Sequence, residues 1–225
     1  EKQMVFSSNI FLFLFLPLFL ILYFAIPERF VGKKYRNYLL LFASLLFYAW
    51  GEAQYLVLLI ISIISNYYFG ILIEKEGDKK EKPSDFKLRF PIITIAISFN
   101  LLLLGYFKYA NFLIENLNHI LQSLSLGQVV VNKVHLPIGI SFFTFHAISY
   151  LIDIYRKKCK AQRNILDLSL YISFFPQLIA GPIVRYNFIE KYLNNRRHNI
   201  FFVSYGIRRF IIGLGKKIII ANPLG

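Results

Sequence analysis

LPIGISFFTFHAISYLIDIYR (136–156), a short basic loop, and then YISFFPQLIAGPIVR (171–185) decide how this chain is read. Both stretches are apolar enough for a membrane, yet His146, Asp153, Pro137, Pro176, Gly181 and Pro182 stand within or beside the apolar runs. Hydrocarbon offers no hydrogen-bond partners, so polar side chains and broken backbone at membrane depth are costly. They are kept where they face a bundle interior, a cavity or a pathway. The pair of segments is therefore read as part of a membrane-embedded site and not as an anchor alone.

Outward from this pair, apolar runs of about 17–20 residues recur, close to the length that crosses a hydrocarbon core. The chain has 225 residues and is 56% hydrophobic, with a mean hydropathy of +0.52. A soluble domain of this size would alternate apolar and polar residues at helical or strand period. The expected fold class is all-α: a polytopic helical membrane protein with a re-entrant or broken helix. The formal net charge of +14 does not point to nucleic acid, because the basic residues sit in short clusters between apolar runs and no nucleic-acid motif accompanies them. Cys159 is the single cysteine, and His119, His135, His146 and His198 lack zinc-type spacing.

Residues 8–26 lack a basic leader and a small-residue cleavage site, so they read as a retained span, with Pro17 tolerated inside it. Met4 reads as a natural start after Glu1-Lys2-Gln3. The basic loop 27–37 is placed in the cytoplasm. The apolar run 38–73 breaks at Trp50-Gly51-Glu52 and reads as a helical hairpin with a tight outer turn. Residues 74–90 form a solvated cytoplasmic loop. Span four covers 91–106, an interfacial helix is expected over 112–126, and span five covers 136–155. Arg156, Lys157, Lys158, Lys160 and Arg163 return the chain to the cytoplasm. Residues 165–183 are long enough to cross, yet Arg185, Lys191, Arg196 and Arg197 follow. A segment that dips in, turns at Pro176 and Gly181-Pro182 and comes back resolves the conflict, and a basic outer face is the alternative. The stretch 200–224 reads as an interfacial helix leading to a later span. No internal repeat is present.

Neighbours on one helical face lie three or four residues apart. Gly139, Phe143, His146, Tyr150, Asp153 and Lys157 follow the spacing 4, 3, 4, 3, 4, which puts histidine, tyrosine and acid in one stripe. His146 and Asp153 are about 10 Å apart along the axis at 1.5 Å per residue, so Tyr150 is the residue placed to relay between them. The functional reading is a stripe that lines a tunnel together with Pro176, Gly181, Pro182 and Arg185. A structural reading stands beside it: Asp153 pairs with Arg156 or Lys157, His146 bonds a neighbouring helix, and Gly139, Ser141 and Thr144 allow close helix approach. Phe142, Phe143 and Phe145 face lipid or core. No nucleophile elbow, phosphate-binding loop or carboxylate pair completes a catalytic set.

Six segments in order, MVFSSNIFLFLFLPLFLILYF (4–24), LLLFASLLFYAWGE (39–52), GYFKYANF (105–112), LPIGISFFTFHAISYLIDIYR (136–156), FFPQLIAGPIVR (174–185) and GLGKKIIIANPL (213–224), resemble the membrane-bound O-acyltransferase family. Within it they are most similar to the branch acting in bacterial alginate O-acetylation. The resemblance implies a multi-pass enzyme of the bacterial inner membrane. A cytoplasmic acyl-CoA-type thioester is its substrate, with no bound cofactor. The acetyl group passes to a periplasmic acetyl-transfer partner protein and on to a polysaccharide acceptor. The family's catalytic histidine lies in a tryptophan-histidine-glycine-like motif in its second half. Here Trp50 is the only tryptophan and no histidine precedes a glycine, so no catalytic residue is carried over. Residues 1–225 are read as the N-terminal part of one such domain, inactive alone. The resembling pattern more often has glutamine where His146 stands, which implies a hydrogen-bonding lining position and not a base. The competing class is a non-enzymatic pathway protein such as a transporter or flippase component.

Overall fold

The computed structural model of the chain describes residues 6–25, 34–78, 85–179, 181–194, 196 and 199–224, and among them the regular elements are all helices. Met4, Arg29, Lys33, Pro83 and Arg197 lie outside the described residues. Helix α1 (Phe11–Ala25) opens with a π-helical turn, Phe11–Phe15, just before Pro17. Proline lacks an N–H and crowds the carbonyl four residues back, so a widened turn at this point accommodates it. Helix α2 (Tyr35–Glu52) stops where the break was expected: Glu52 leaves helical geometry at φ −143° and ψ 54°, a 3₁₀ turn covers Ala53–Tyr55, and α3 (Leu56–Asp78) follows.

Helix α4 (Asp85–Ser123) corrects the sequence reading. The expected span at 91–106 and the expected interfacial helix at 112–126 are one element of 39 residues. At 1.5 Å per residue it rises about 58 Å, well beyond a hydrocarbon core of about 30 Å. Hydropathy falls past Lys108, but falling hydropathy marks a change of surroundings and not a helix end. No proline or capping signal stands between 106 and 112, and Gly105 alone costs only about 1 kcal/mol relative to alanine.

Helices α5 (Ile140–Tyr155), α6 (Ile165–Ser173), α7 (Phe175–Leu178), α8 (Tyr186–Asn194) and α9 (Ile200–Gly215) complete the order. α9 runs on through a π-helical turn, Lys216–Ala221, to Asn222–Leu224. The segment 165–183 is broken as expected. The helix ends at Phe174 (φ −55°, ψ 112°), and Pro176 sits in the first turn of α7, where its missing N–H has no cost. The nine residues of α6 rise only about 13 Å, too short to cross.

The chain divides into two compact units. In the unit of residues 40–189, α3, α4 and α5 pack on one another, α6 packs on α3 and α5, and α7 on α5 and α6. Leu59, Ile63 and Ile73 of α3, Ile93, Ala96 and Leu104 of α4, and Phe143, Ala147 and Leu151 of α5 form its interior. Inside a bilayer, apolar burial between helices gains little over contact with lipid, so close packing and interhelical hydrogen bonds supply the adhesion. Asn66 and Asn100 provide such a bond. The Asn66 amide donates to Asn100 Oδ1 at 3.1 Å and the Asn100 amide donates to Asn66 Oδ1 at 2.8 Å. Each spends its other N–H on the carbonyl four residues back, Ser62 and Ala96. Both side chains are buried, and all four amide hydrogens are used.

The far half of α4 carries a strap. Asn118 holds the N–H and carbonyl of Val129 at 2.8 and 3.0 Å, and Asn111 holds those of Val134 at 2.9 and 2.7 Å. The two asparagines are seven residues apart, two turns on one face, so the chain at 127–135 is tied back along the helix. His135 then bonds Glu52 at 3.0 Å and stacks on Tyr55. In the other unit (residues 1–39 and 190–225), Phe11, Phe15, Phe19 and Tyr23 form a ring ladder along α1. Arg36 lies over the Tyr23 ring, and Asn37 donates to the Leu193 carbonyl.

Candidate functional site

The inward face of α5 is set by its start. Gly139 caps the helix with φ +75°, a left-handed backbone that side chains rarely adopt. A Cβ there would stand 2.6 Å from the Leu178 carbonyl oxygen. Glycine therefore meets two demands at one point and seats α5 against α7. From there Phe143, His146, Tyr150 and Asp153 turn inward, with His146 and Tyr150 at 0% exposure and Asp153 at 3%. The four-residue core of the expected stripe is present. Lys157 is not part of it: the helix ends at Tyr155, and Lys157 is exposed with φ +56°.

The bonds differ from the structural reading. His146 Nδ1 lies 2.8 Å from the carbonyl oxygen of Phe142, on its own helix and not a neighbouring one. A carbonyl only accepts, so Nδ1 carries the hydrogen and the neutral ring presents Nε2 as an acceptor. Nε2 is buried and without a hydrogen-bond partner. Asp153 forms no ion pair with Arg156 or Lys157; its Oδ2 is likewise buried and unpartnered. The Tyr150 hydroxyl accepts from the Gln162 N–H at 2.9 Å, a partner outside the stripe. Thr144 Oγ1 is a further buried oxygen without a partner.

Three fully enclosed tyrosines surround this face: Tyr150 from α5, Tyr171 from α6 and Tyr186 from α8. Their rings meet edge to face, Tyr150 with Tyr186 at 5.1 Å and Tyr171 with Tyr186 at 5.2 Å, and Tyr171 also meets His146 edge-on at 5.7 Å. The polar ends go outward: the Tyr171 hydroxyl donates to the Val184 carbonyl, and Gln162 donates to the Tyr186 hydroxyl at 2.7 Å. Gly70 of α3 approaches this group closely, a Cβ there lying 3.0 Å from Tyr150. Tyr171, Tyr186 and Gln162 were not singled out from the sequence. A tyrosine in an apolar run is ordinary in membrane segments, and nothing in its spacing announced a triad spanning three helices.

The rest of the expected tunnel set, Pro176, Gly181, Pro182 and Arg185, is exposed. Gly181 has φ +120° with open space around it. The described residues hold no cluster of three metal-ligating side chains.

At the end of α5 the loop 156–163 is fastened on all sides. The Lys158 N–H bonds the Asp153 carbonyl at 2.9 Å, and the Ala161 N–H bonds Glu74 Oε1 at 3.2 Å. Arg163 pairs with Glu74 Oε2, and Tyr67 donates to the Arg163 carbonyl. Asn164 then caps α6 by accepting from the Leu166 N–H.

No family model matches the chain, and no solved structure matches it. Curated proteins do. A probable alginate O-acetylase AlgI of Pseudomonas syringae pv. tomato is 43% identical over 221 residues, 98% of this chain and 40% of that protein. One of Pseudomonas aeruginosa is 42% identical over the same share of each. A peptidoglycan O-acetyltransferase of Helicobacter pylori is 33% identical over 97% of this chain and 45% of that protein. The chain thus spans less than half the length of these relatives. The resemblance read from the six segments is borne out, and so is the all-α membrane class, with two long apolar helical stretches, Tyr35–Glu76, which holds α2 and α3, and Phe90–Ser123 within α4.

Proposed function

We propose that this chain is part of a membrane O-acetyltransferase. In this reading an acetyl group moves from a cytoplasmic acyl-CoA-type thioester, through a partner protein on the outer side, to hydroxyls of an alginate-like polysaccharide. The protein would cross the bacterial inner membrane several times. The observation that carries the reading is similarity at 42–43% identity along 98% of the chain to alginate O-acetylases. The enclosed face of α5 supports it, because buried acceptors such as His146 Nε2 and Asp153 Oδ2 suit a polar path and not a bare anchor.

The chemistry asked of the whole enzyme is a thioester exchange. The acceptor hydroxyl attacks the acetyl carbonyl, a C–O bond forms, the C–S bond breaks, and the hydroxyl proton passes to the leaving thiolate. In this reading none of the described residues is assigned the acid–base role. The chain's own part is to hold and orient: His146 Nε2 accepts a hydrogen bond inside the bundle, and Pro176, Gly181, Pro182 and Arg185 remain proposed lining positions on the broken segment.

A chimera tests this. The 225 residues replace the matching segment of an alginate O-acetylase in cells lacking that enzyme, and ester acetate on the secreted polymer is measured. Restored acetylation is expected, and His146→Gln, which keeps an acceptor, should retain more of it than His146→Leu. A chimera that inserts normally but yields unacetylated polymer overturns the proposal, and substrate flux without thioester consumption would favour a transporter.

A further inference from the structure

The geometry points to the loop 156–163 as a built binding site for phosphate esters, and we propose that it holds the phosphates of the thioester donor. This rests on the acetyl-transfer reading for the identity of the ligand, but not for the site itself. The sequence RKKCKAQR places five cations in eight residues, and all five are exposed. The positive-inside tendency accounts for the presence of such residues. It does not account for how the loop is held, since a topological signal needs charge but no shape.

This loop has a shape. Its start is closed by the N–H groups of Arg156, Lys157 and Lys158 on the carbonyls of Ile152, Ile154 and Asp153. Lys157, at φ +56°, is the left-handed residue of the helix's C-terminal cap, which sets the direction in which the loop leaves α5. The loop's end is fixed to three helices: to α3 through both oxygens of Glu74 and through Tyr67, to α5 through Tyr150, and to α8 through Tyr186. The carboxylate of Glu74 engages Arg163. Arg156, Lys157, Lys158 and Lys160 are left facing solvent on a fixed frame, with no ion pair to any described carboxylate.

Preordered cations bind a polyanion more tightly than mobile ones, because less side-chain and loop ordering is lost on binding. The frame also ends α5, whose inward face carries Asp153, Tyr150 and His146. A carrier held by its phosphates at this loop would present its thioester end toward that face. Phosphate esters occur both in coenzyme A and in anionic lipid headgroups, so the test separates the two sources.

The full chain is placed in nanodiscs of neutral phosphatidylcholine, and in others containing phosphatidylglycerol. Binding of coenzyme A and of dephospho-coenzyme A is titrated in each. In neutral discs coenzyme A should bind saturably and more tightly than the dephospho form. The variant Lys157→Gln/Lys158→Gln/Lys160→Gln, which leaves the Glu74 anchorage intact, should weaken it by about tenfold or more. Glu74→Gln discriminates shape from charge. It raises the net positive charge, so simple attraction predicts tighter binding, whereas release of the frame predicts weaker binding. Unchanged affinity in the triple variant, or tighter binding in Glu74→Gln, overturns the proposal. So does a loop whose cations affect only phosphatidylglycerol association. An acetylating chimera without coenzyme A binding would sink this inference alone. Loop-dependent binding beside an inactive chimera would sink the acetyl-transfer reading and leave the phosphate site standing.

Discussion

Two glycines in positive-φ backbone are unequal. Gly139 combines φ +75° with the Leu178 carbonyl 2.6 Å from where a Cβ would sit, and Gly181 has φ +120° with nothing near. A backbone strain of about 1–3 kcal/mol is expected at either position on substitution, and only Gly139 adds a clash with main chain. Gly139→Ala should therefore lower the unfolding temperature in detergent clearly more than Gly181→Ala, and equal effects would show that the α5–α7 contact is looser than described. Residue identity was legible in the sequence where the pattern was periodic: Phe143, His146, Tyr150 and Asp153 share one face as their spacing requires. Their partners were not legible. The His146 Nδ1 bond to its own helix and the Tyr150 bond to Gln162 depend on rotamers and on a loop that folds back, and spacing encodes neither.

At the level of elements, Asn66 and Asn100 join α3 to α4 through a reciprocal pair. Replacing one partner leaves the other amide buried without its bond; replacing both removes the need. Asn66→Leu and Asn100→Leu should each destabilise, and the double variant should cost less than their sum. The coupling is expected near 0.6 kcal/mol and not above about 1.7 kcal/mol, the range measured for such bonds in membranes. Additive losses in a double-mutant cycle would mean the pair is not formed. Neither asparagine was singled out from the sequence, and a pairing across 34 positions leaves no mark in local spacing. The break before Pro176 was legible because proline acts locally on backbone. The unbroken length of α4 was not, since hydropathy divides a helix by surroundings while its hydrogen bonds continue.

For the whole molecule, sidedness follows from where the cations lie. If 156–163 faces the cytoplasm, Cys159 should react with thiol reagents applied from that side, and a cysteine at the exposed Gln54 in a Cys159→Ser background should react from outside. A cysteine at Arg185 should label from the cytoplasm if the broken segment dips and returns, and external labelling there would dismiss the dip. α4 runs about 58 Å, longer than the hydrocarbon it would cross, and the strap doubles back along its far half on two asparagine side chains. The bend from helix into strap, where Ser125 takes φ +54°, is exposed. An epitope spliced in after Gly127 should be tolerated there, giving antibodies a grip on spheroplasts without disturbing the bundle.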